Sequence, residues 1–319
     1  MQKVVAIVGP TAVGKTTLAI EIAKKLDGEI VSGDSMQIYK EVAIGTAKAS
    51  REEQAEVKHY LVDAHSVFED FSVKNFVDEA RSAIGEIAGK DKLPIIAGGT
   101  GFYVNALLND MQLGDNEEEA ASVDPEWEDF LAANGPQALW EELNKKDPEA
   151  AKKVPVANSR RSLRALSVIS RTGGLFSKQQ AEIKPRYDYL IIGLNSDREA
   201  IYQRINQRVD LMMEAGLLEE ARFVYEHRAG EHQVLQAIGY KEFFPYFAGE
   251  ASLEACVTAL KTASRRYAKR QLTYFRNKLP VEWYDPLTDP NCAKRIAVRI
   301  EEWMKKNEKI TRRIKGNPG

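Results

Sequence analysis

The phosphate-loop motif near the start of the chain constrains the fold more than any other feature. The stretch GPTAVGKTT begins at Gly9 and fits the pattern G-x-x-x-x-G-K-[ST] without a mismatch. An apolar run, KVVAIV, precedes it, and the helical spacing of Leu18, Ile22 and Leu26 follows it. A strand, a glycine-rich turn and a helix in this order are the context that the motif requires. We therefore expect a parallel α/β fold with a phosphate-binding loop after its first strand.

The loop residues indicate how an anion is held. The expected phosphate-binding set is Gly9, Pro10, Thr11, Ala12, Val13, Gly14, Lys15 and Thr16. Loops of this kind usually hold the triphosphate of ATP or GTP, because backbone N–H groups and the dipole of the following helix favour negative charge. Lys15 adds a positive charge on the terminal phosphates, and the Thr16 hydroxyl is the usual ligand of Mg²⁺. Mg²⁺ is therefore the expected cofactor, with Thr16 as its ligand.

Strand-like and helical stretches alternate along most of the chain. GEIVS, HYLVDAH, LPIIAGG and YDYLIIGL have the character of strands, and helical spacing separates them. Between about Leu108 and Pro185 strand-like runs vanish, and after Gly239 the sequence looks helical to its end. The expected fold is α/β, with a parallel sheet like that of P-loop NTPases, an inserted helical subdomain and a helical C-terminus. We place the first part of the catalytic core at 1–108, the insertion at 109–185, and the rest of the core with a basic helical region at 186–319.

Composition excludes several classes of protein. The 319 residues include two cysteines, Cys256 and Cys292, without a C-x-x-C pair, which argues against a disulfide framework or a zinc site. No apolar run approaches membrane-spanning length, and the N-terminus leads into the first strand without room for a cleavable signal. We expect a cytoplasmic protein. The formal net charge of −2 indicates no partner, so the distribution of charge matters more.

Two further stretches place polar side chains after predicted strands. Asp34, in SGDSMQIY, follows the second strand and can ligate Mg²⁺ through water, act as a general base, or only cap a helix. Thr100, in AGGTGFY, offers a hydroxyl after two glycines that let a ligand approach the backbone. The strand before Thr100 ends without the aspartate that a nucleotide hydrolase uses to hold its metal, which weakens an ATPase interpretation.

Basic side chains concentrate in three places. Arg204 and Arg208 lie four residues apart, so they can clamp a phosphate group or belong to a solvated helix face. The stretch KTASRRYAKRQLTYFRNK at 261–278 has no acid and interleaves aromatic residues, and AKKVPVANSRRSLR at 151–164 is also free of acids. Cations neutralise nucleic-acid phosphates and aromatic rings stack on bases, although a charge run is more often a solvated face.

The sequence resembles the bacterial tRNA dimethylallyltransferases. The matching stretches, in chain order, are GPTAVGKTTLAIEIAKKL, EIVSGDSMQIYKEVAIGTAK, LPIIAGGTGFYVNALL, ANSRRSLRALSVI, INQRVDLMMEAGLLEEA, QAIGYKEF and SRRYAKRQLTYFRNK. The resemblance implies that the loop holds the diphosphate of dimethylallyl diphosphate. It also implies transfer of the dimethylallyl group to the exocyclic N6 amine of the adenosine 3′ of the anticodon, in tRNAs that read codons beginning with U.

The resemblance also implies roles for individual residues. Asp34 would be the base, Thr100 would lie near the reacting amine, and Lys15 and Arg208 would stabilise the departing diphosphate. The residues expected to contact tRNA are Asp34, Ser35, Met36, Gln37, Thr100, Arg160, Arg161, Arg164, Arg265, Arg266, Lys269 and Arg270. The expected partners are the anticodon stem-loop of tRNA and dimethylallyl diphosphate, with no membrane, no partner protein and a monomeric state. The insertion would bind tRNA, but Glu128 stands where many members carry a tRNA-contacting arginine.

Three alternatives compete with this interpretation. A P-loop kinase of small molecules or nucleotides would use the loop and the arginine pair but not the basic stretch at 261–278. A non-catalytic RNA-binding module would use the basic stretches but not the phosphate loop, Asp34 or Thr100. An adenylate isopentenyltransferase would act on free AMP or ATP, for which the tRNA-binding insertion is unnecessary.

Overall fold

The computed structural model describes residues 1–111, 124–178, 184–230 and 232–315, with side chains up to residue 306. The chain forms two compact units, one of Met1–Asp110 with Pro185–Gly319 and one of Met111–Lys184. We call them the core unit and the helical unit. The acidic run that follows Gly114 lies outside the described residues. Within the described residues, no helix is long and apolar enough to cross a lipid bilayer.

A parallel six-stranded sheet forms the centre of the core unit. Its strands are β1 (Lys3–Val8), β2 (Gly28–Ser32), β3 (His59–Tyr60), β4 (Leu93–Gly98), β5 (Asp188–Leu194) and β6 (Val281–Tyr284). They lie in the order β3-β2-β4-β1-β5-β6, and every pair of neighbours is parallel. The expected α/β fold is confirmed. Because parallel strands end at the same edge, the loops after β1, β2 and β4 gather on one side of the sheet.

The last strand corrects the sequence-based expectation of helix from Gly239 to the end. Residues Val281–Tyr284 form β6, which pairs only with β5 at the edge of the sheet. All four residues are half-buried, so the strand lacks the continuous apolar character of β1. Four residues are also too few to display a strand period beside the long helices on either side.

Helices pack against the sheet. In the core unit they are α1 (Lys15–Lys25), α2 (Arg51–Glu56), α3 (Val73–Gly89), α4 (Gly101–Leu108), α8 (Arg198–Glu214), α9 (Leu217–Glu226), α10 (Phe244–Phe247), α11 (Leu253–Lys278) and α12 (Cys292–Lys315). One large group of buried apolar side chains comes from β1, β4, β5, α1 and α12, with Ile7, Ile22 and Ile296 fully enclosed. This core fixes α1 against the sheet and with it the loop that precedes α1.

The helical unit has a separate apolar core. Its helices are α5 (Pro125–Lys146), α6 (Pro148–Ala151) and α7 (Ser159–Thr172). Leu139 and Leu143 of α5 pack with Leu166 of α7, and all three are fully buried. α5 bends at Gly135, whose φ is 79° and which precedes Pro136. Asn158 caps α7 by accepting a hydrogen bond from the N–H of Arg161.

Candidate active site

The phosphate loop connects β1 to α1 through two glycines with positive φ. Gly9 has a φ of 149°, and a Cβ there would lie 2.4 Å from the carbonyl oxygen of Leu194 in β5. No other residue type fits at this point, because that contact is with backbone rather than with a flexible side chain. Gly14 is the N-cap of α1 in the left-handed conformation, with a φ of 101°. These two residues turn the chain so that α1 begins directly above the end of β1.

Only part of the loop backbone is available to an anion. Pro10 has no N–H, and the N–H of Thr11 donates to Oε1 of Gln271 over 2.9 Å. Among the described residues, no protein acceptor takes the N–H groups of residues 12–16. Those groups lie at the N-terminus of α1, where the helix dipole also favours negative charge. The anion site therefore comprises the second half of the motif.

Three cationic side chains contact the phosphate loop. Nζ of Lys15 donates to the carbonyl of Pro10 over 2.8 Å, and Arg204 and Arg208 reach the loop from α8. Nε of Arg204 donates to the carbonyl of Ala12 over 2.8 Å, and Nη1 of Arg208 donates to the Thr11 hydroxyl over 3.4 Å. Both members of the predicted arginine pair thus contact the phosphate loop, and neither belongs to a merely solvated helix face.

Burial and mutual repulsion destabilise the charges of two of these cations. Burial, followed by the charge of Arg208, lowers the pKa of Lys15 to about 8, and Asp34 opposes that shift. Burial and the nearby Arg204 also lower the pKa of Arg208, which remains charged because free arginine titrates at about 12.5–13.8. An arriving diphosphate would relieve this repulsion, so the site is electrostatically prepared for an anion.

Asp34 is half-buried in the loop after β2 and lies within the electrostatic reach of Lys15. Its Oδ1 accepts a hydrogen bond from the N–H of Met36 over 3.0 Å. Burial raises the pKa of Asp34, while the N–H groups of Met36 and Gln37 and the charge of Lys15 act in the opposite direction. No helix begins in the segment from Asp34 to Lys40, so the helix-cap alternative does not apply.

Thr100 joins the loop after β4 to the loop after β2. Its N–H donates to the carbonyl of Gly33 over 3.2 Å, and its hydroxyl accepts from the N–H of Ser35 over 3.1 Å. The same hydroxyl lies 3.3 Å from the hydroxyl oxygen of Ser35. The phenol of Tyr267, from α11, lies within hydrogen-bonding reach of Thr100, and burial and the charge of Asp34 raise its pKa. The structure therefore brings together Asp34, Ser35 and Thr100, as the sequence predicts.

The Gln37 side chain is engaged within the protein. Its Nε2 donates to the carbonyls of Thr46 and Ala47 over 3.3 and 3.2 Å, and its Oε1 accepts from the Ser32 hydroxyl over 3.0 Å. Met36, one residue earlier, is half-buried. Contact of Ser35, Met36 and Gln37 with a target base stays a prediction. The three hydrogen bonds of the Gln37 amide fix its orientation within the protein.

Glu220, which the sequence alone did not indicate, holds the backbone further along the loop after β2, at residues 43–45. Glu220 of α9 accepts from the N–H groups of Ala43, Ile44 and Gly45 over 2.7, 3.0 and 2.8 Å. It also accepts from the hydroxyl of Tyr240 over 2.8 Å. Glu220 and Tyr240 both lie in stretches that match the family. Apart from that match, nothing in their spacing predicts that Glu220 contacts the loop after β2.

The basic stretch at 261–278 separates into two faces of α11. Arg266, Lys269 and Arg270 are exposed to solvent along one face. Arg265 is half-buried and donates to Oδ1 of Asn206 over 2.7 Å and to the Thr262 hydroxyl over 2.9 Å. Arg265 thus has a structural partner within the core unit, whereas the other three cations are exposed.

In the helical unit, the predicted tRNA-contacting arginines lie on the first half of α7. Arg160, Arg161 and Arg164 are all exposed, while Leu163 on the opposite side is buried in the core of the unit. Glu128 lies in the first turn of α5 and is also exposed. A carboxylate there suits the positive end of the helix dipole, which gives Glu128 a local role that requires no RNA.

The residues present suit a magnesium ion held together with a phosphate. Within the described residues, no group of three or more His, Cys, Asp or Glu side chains could hold a metal ion. Thr16 is half-buried in the first turn of α1, next to Lys15, and offers one hard oxygen ligand. Mg²⁺ keeps several waters and commonly takes its other ligands from phosphate oxygens, so one hydroxyl beside an anion site fits its chemistry.

Comparisons with known proteins identify the family of the chain. A family model for IPP transferase matches residues 37–278. The tRNA dimethylallyltransferase of Lactobacillus delbrueckii subsp. bulgaricus is 96% identical over 308 residues, which cover 97% of this chain and 100% of that protein. The tRNA dimethylallyltransferase of Lactobacillus helveticus is 70% identical over the same shares of both chains.

Solved structures show the same likeness. The full-length tRNA isopentenylpyrophosphate transferase of Bacillus halodurans superimposes with a TM-score of 0.74 at 42% identity, covering 98% of this chain and 99% of that one. A eukaryotic dimethylallyltransferase acting on tRNA superimposes with a TM-score of 0.81 at 31% identity, covering 96% and 80%. The resemblance inferred from the seven stretches is confirmed, and the chain belongs to the IPP transferase family.

Proposed function

We propose that this protein transfers the dimethylallyl group of dimethylallyl diphosphate to the exocyclic N6 amine of the adenosine 3′ of the anticodon in tRNAs that read U-initial codons. Relatives named tRNA dimethylallyltransferases at up to 96% identity support the reaction. The observation that carries the proposal is the position of Asp34 and Thr100, on two neighbouring loops beside a cationic phosphate loop. Anion binding and amine activation thus occur at one edge of the sheet.

The reaction forms a carbon–nitrogen bond, breaks a carbon–oxygen bond and moves one proton. The N6 nitrogen bonds to the allylic carbon of the donor, the bond from that carbon to the bridging oxygen breaks, and diphosphate leaves with the electron pair. The N6 proton passes to the carboxylate of Asp34. An exocyclic aromatic amine is a weak nucleophile, and the raised pKa of Asp34 makes its carboxylate a stronger base than an ordinary aspartate. Thr100 would orient the amine beside Asp34.

Stabilisation of the leaving group falls to the phosphate loop and its cations. Negative charge grows on the diphosphate as the carbon–oxygen bond breaks, and the N–H groups of residues 12–16 and the ammonium of Lys15 face it. Arg208, held against the loop by its contact with Thr11, adds a second cation. Mg²⁺ bound by Thr16 and the diphosphate would neutralise further charge on the leaving group.

Exposed cations would bind the tRNA. Arg266, Lys269 and Arg270 on α11, and Arg160, Arg161 and Arg164 on α7, are available to phosphate groups of the anticodon stem-loop. The target adenosine would be flipped out of its loop to reach Asp34, which costs a few kcal/mol and less in a loop than in a duplex. The presence of exposed cations in both units supports a macromolecular substrate rather than free AMP or ATP.

A kinase remains the principal rival on chemical grounds, and two features disfavour it. The strand before Thr100 ends in the sequence AGGTG without a metal-binding aspartate. A kinase of small molecules would also leave the exposed cations Arg266, Lys269 and Arg270 of α11 without a role. We further propose that the protein acts in the cytoplasm, where tRNA is available, and as a monomer.

The deciding experiment is incubation of the protein with dimethylallyl diphosphate, Mg²⁺ and unmodified tRNA, followed by mass spectrometry of the nucleosides. We expect dimethylallyl adenosine in the tRNA and release of diphosphate. A tRNA with guanosine in place of the target adenosine is the matched control, because it lacks the N6 amine. Prenylation of free AMP, or ATP turnover without tRNA, would support one of the two enzymatic alternatives instead.

A further inference from the structure

Gln271 is a buried polar side chain that contacts two parts of the site at once. Its Oε1 accepts from the N–H of Thr11 in the phosphate loop over 2.9 Å. Its Nε2 donates to the carbonyl of Gly99 in the turn after β4 over 3.0 Å. The residue is 5% exposed, so water cannot readily replace either bond. One side-chain amide thus joins the loop that faces the diphosphate to the turn that carries Thr100.

The packing around Gly99 leaves room for this side chain and little else. A Cβ on residue 99 would lie 2.1 Å from Nε2 of Gln271, so the absent side chain is what allows the amide to reach the carbonyl. Ala268, one turn before Gln271 on α11, belongs to the same buried apolar cluster as Ala12 of the phosphate loop. The contact therefore involves matched residues on three separate segments of the chain.

The bond to Thr11 determines which amides of the loop remain for an anion. By accepting that N–H, Gln271 removes the Thr11 amide from the donors available to an anion, and the N–H groups of residues 12–16 remain. Through its bond to Gly99, Gln271 also sets the position of Thr11 in the phosphate loop relative to Thr100, which follows Gly99. A transfer reaction depends on the separation between the leaving diphosphate and the attacking amine, and a displacement of about 1 Å can cost on the order of 10²-fold in rate.

We propose that Gln271 is a positioning residue for the transfer reaction, which joins the phosphate loop to the turn after β4 and so sets the distance between the diphosphate and Thr100. The inference rests on the proposed function and adds a residue to it. Gln271 touches neither the reacting carbon nor the amine in this role. It acts through the backbone of Thr11 and Gly99.

The test compares two substitutions in the full-length protein. Gln271→Met keeps the length and volume of the side chain but removes both hydrogen bonds. Gln271→Glu keeps an acceptor for Thr11 but removes the donor to Gly99 and adds a negative charge near the diphosphate site. Phe275→Leu is the matched control, because Phe275 is fully buried one turn further along α11 and its replacement disturbs the packing of the same helix.

The measurements are single-turnover transfer, binding of inorganic pyrophosphate by calorimetry, tRNA affinity and thermal stability. For Gln271→Met we expect pyrophosphate binding to weaken about 10-fold and transfer to fall about 10- to 100-fold, with tRNA affinity within about 2-fold of wild type. Gln271→Glu should bind pyrophosphate more weakly still. Phe275→Leu should retain pyrophosphate affinity and most of its transfer rate, even if its thermal stability decreases as much as that of Gln271→Met or more.

Several results would overturn the inference. Transfer and pyrophosphate binding by Gln271→Met within about 2-fold of wild type would show that the bridge has no functional effect. Decreases that match those of Phe275→Leu in proportion to stability would reduce Gln271 to a packing role. Absence of transfer by the wild-type protein would instead contradict the proposed function, and pyrophosphate binding would still report on the bridge by itself.

Discussion

Asp34 illustrates how much of the chemistry rests on a single side chain. The carboxylate is half-buried, accepts a hydrogen bond from the N–H of Met36 and faces Lys15, so it is placed for proton transfer. Asp34→Asn keeps the shape and the acceptor oxygen but cannot take a proton at neutral pH. We expect transfer to fall by about 10²–10⁴-fold, with little change in the binding of either substrate.

The measurement for Asp34→Asn is single-turnover transfer across a Mg²⁺ titration, beside the affinities for tRNA and pyrophosphate. Recovery of rate at high Mg²⁺ would assign Asp34 to the metal rather than to the amine. A rate within a few-fold of wild type at all Mg²⁺ concentrations would remove Asp34 from the reaction altogether.

The dependence of activity on pH follows from the ionisation of Asp34 and Lys15. The base must be deprotonated, so activity should rise with pH through the pKa of Asp34, which burial raises above that of an ordinary aspartate. Lys15 must be protonated to attract diphosphate, so kcat/KM should fall as pH rises through about 8, the lowered pKa of Lys15 in the free protein. The expected profile of kcat/KM for the donor is therefore bell-shaped.

Substitution separates the two limbs of that profile. Lys15→Arg keeps a cation that does not titrate in this range, so the alkaline limb should disappear even though the absolute rate falls. Asp34→Asn should remove the acid limb. An alkaline limb that persists unchanged in Lys15→Arg would show that another group controls it.

Whether a site residue could be predicted from the sequence depends on whether it lies in a short motif or acts through contacts that are distant along the chain. The positions of the phosphate loop and of Asp34 could be predicted, because each lies in a short motif directly after a strand. Gln271 and Glu220 could not, since each acts through contacts with segments more than 170 residues away along the chain. The half-buried state of Arg265 was equally invisible, because its partner Asn206 lies on a different helix.

At the scale of elements, α11 carries different chemistry on its two sides. Gln271 and Ala268 face the phosphate loop, while Arg266, Lys269 and Arg270 face solvent. Replacing the three exposed cations by glutamine should weaken tRNA binding and flatten the dependence of log affinity on log salt. The slope should change by roughly 0.7–0.9 for each phosphate group that the variant no longer neutralises. Pyrophosphate affinity should not change.

The control for that triple variant is Lys25→Gln with Lys294→Gln and Lys305→Gln, three exposed cations on other helices of the core unit. It removes the same charge from the protein, so it separates a local interaction from a general electrostatic effect. Equal salt slopes for the two triple variants would return the exposed face of α11 to an ordinary solvated surface.

Among elements, continuous apolar character decided what the sequence could predict. β1 and β4 are buried along most of their length and were evident from their runs of Val and Ile. β3 has only two residues and β6 has four half-buried ones, so both depend on a neighbouring strand for their definition. Edge strands of this kind derive their structure from tertiary pairing rather than from local sequence.

For the whole molecule, the path of the chain separates the two units. The chain leaves the core unit after Asp110 and returns at Pro185, and the two ends lie close together in the core unit. The N–H of Arg186 donates to the carbonyl of Leu108 over 3.0 Å, and Arg186 forms an ion pair with Asp110 at 3.6 Å. Because each unit also has an apolar core of its own, the insertion is a self-contained addition to the sheet.

This arrangement predicts that a short Gly-Ser linker can replace residues 112–184 without unfolding the core unit. The shortened protein should retain a cooperative thermal transition and pyrophosphate binding within a few-fold of the full chain, because the phosphate loop, α8 and α11 remain.

The tRNA affinity and transfer rate of the shortened protein should fall sharply if the helical unit binds tRNA. Arg160→Gln with Arg161→Gln and Arg164→Gln in the full chain provides the comparison, since those cations are exposed and we expect their replacement to leave the unit folded. Failure of the shortened protein to bind pyrophosphate would show that the core depends on the insertion for its fold. A shortened protein with undiminished tRNA affinity would place the whole tRNA interface on the core unit.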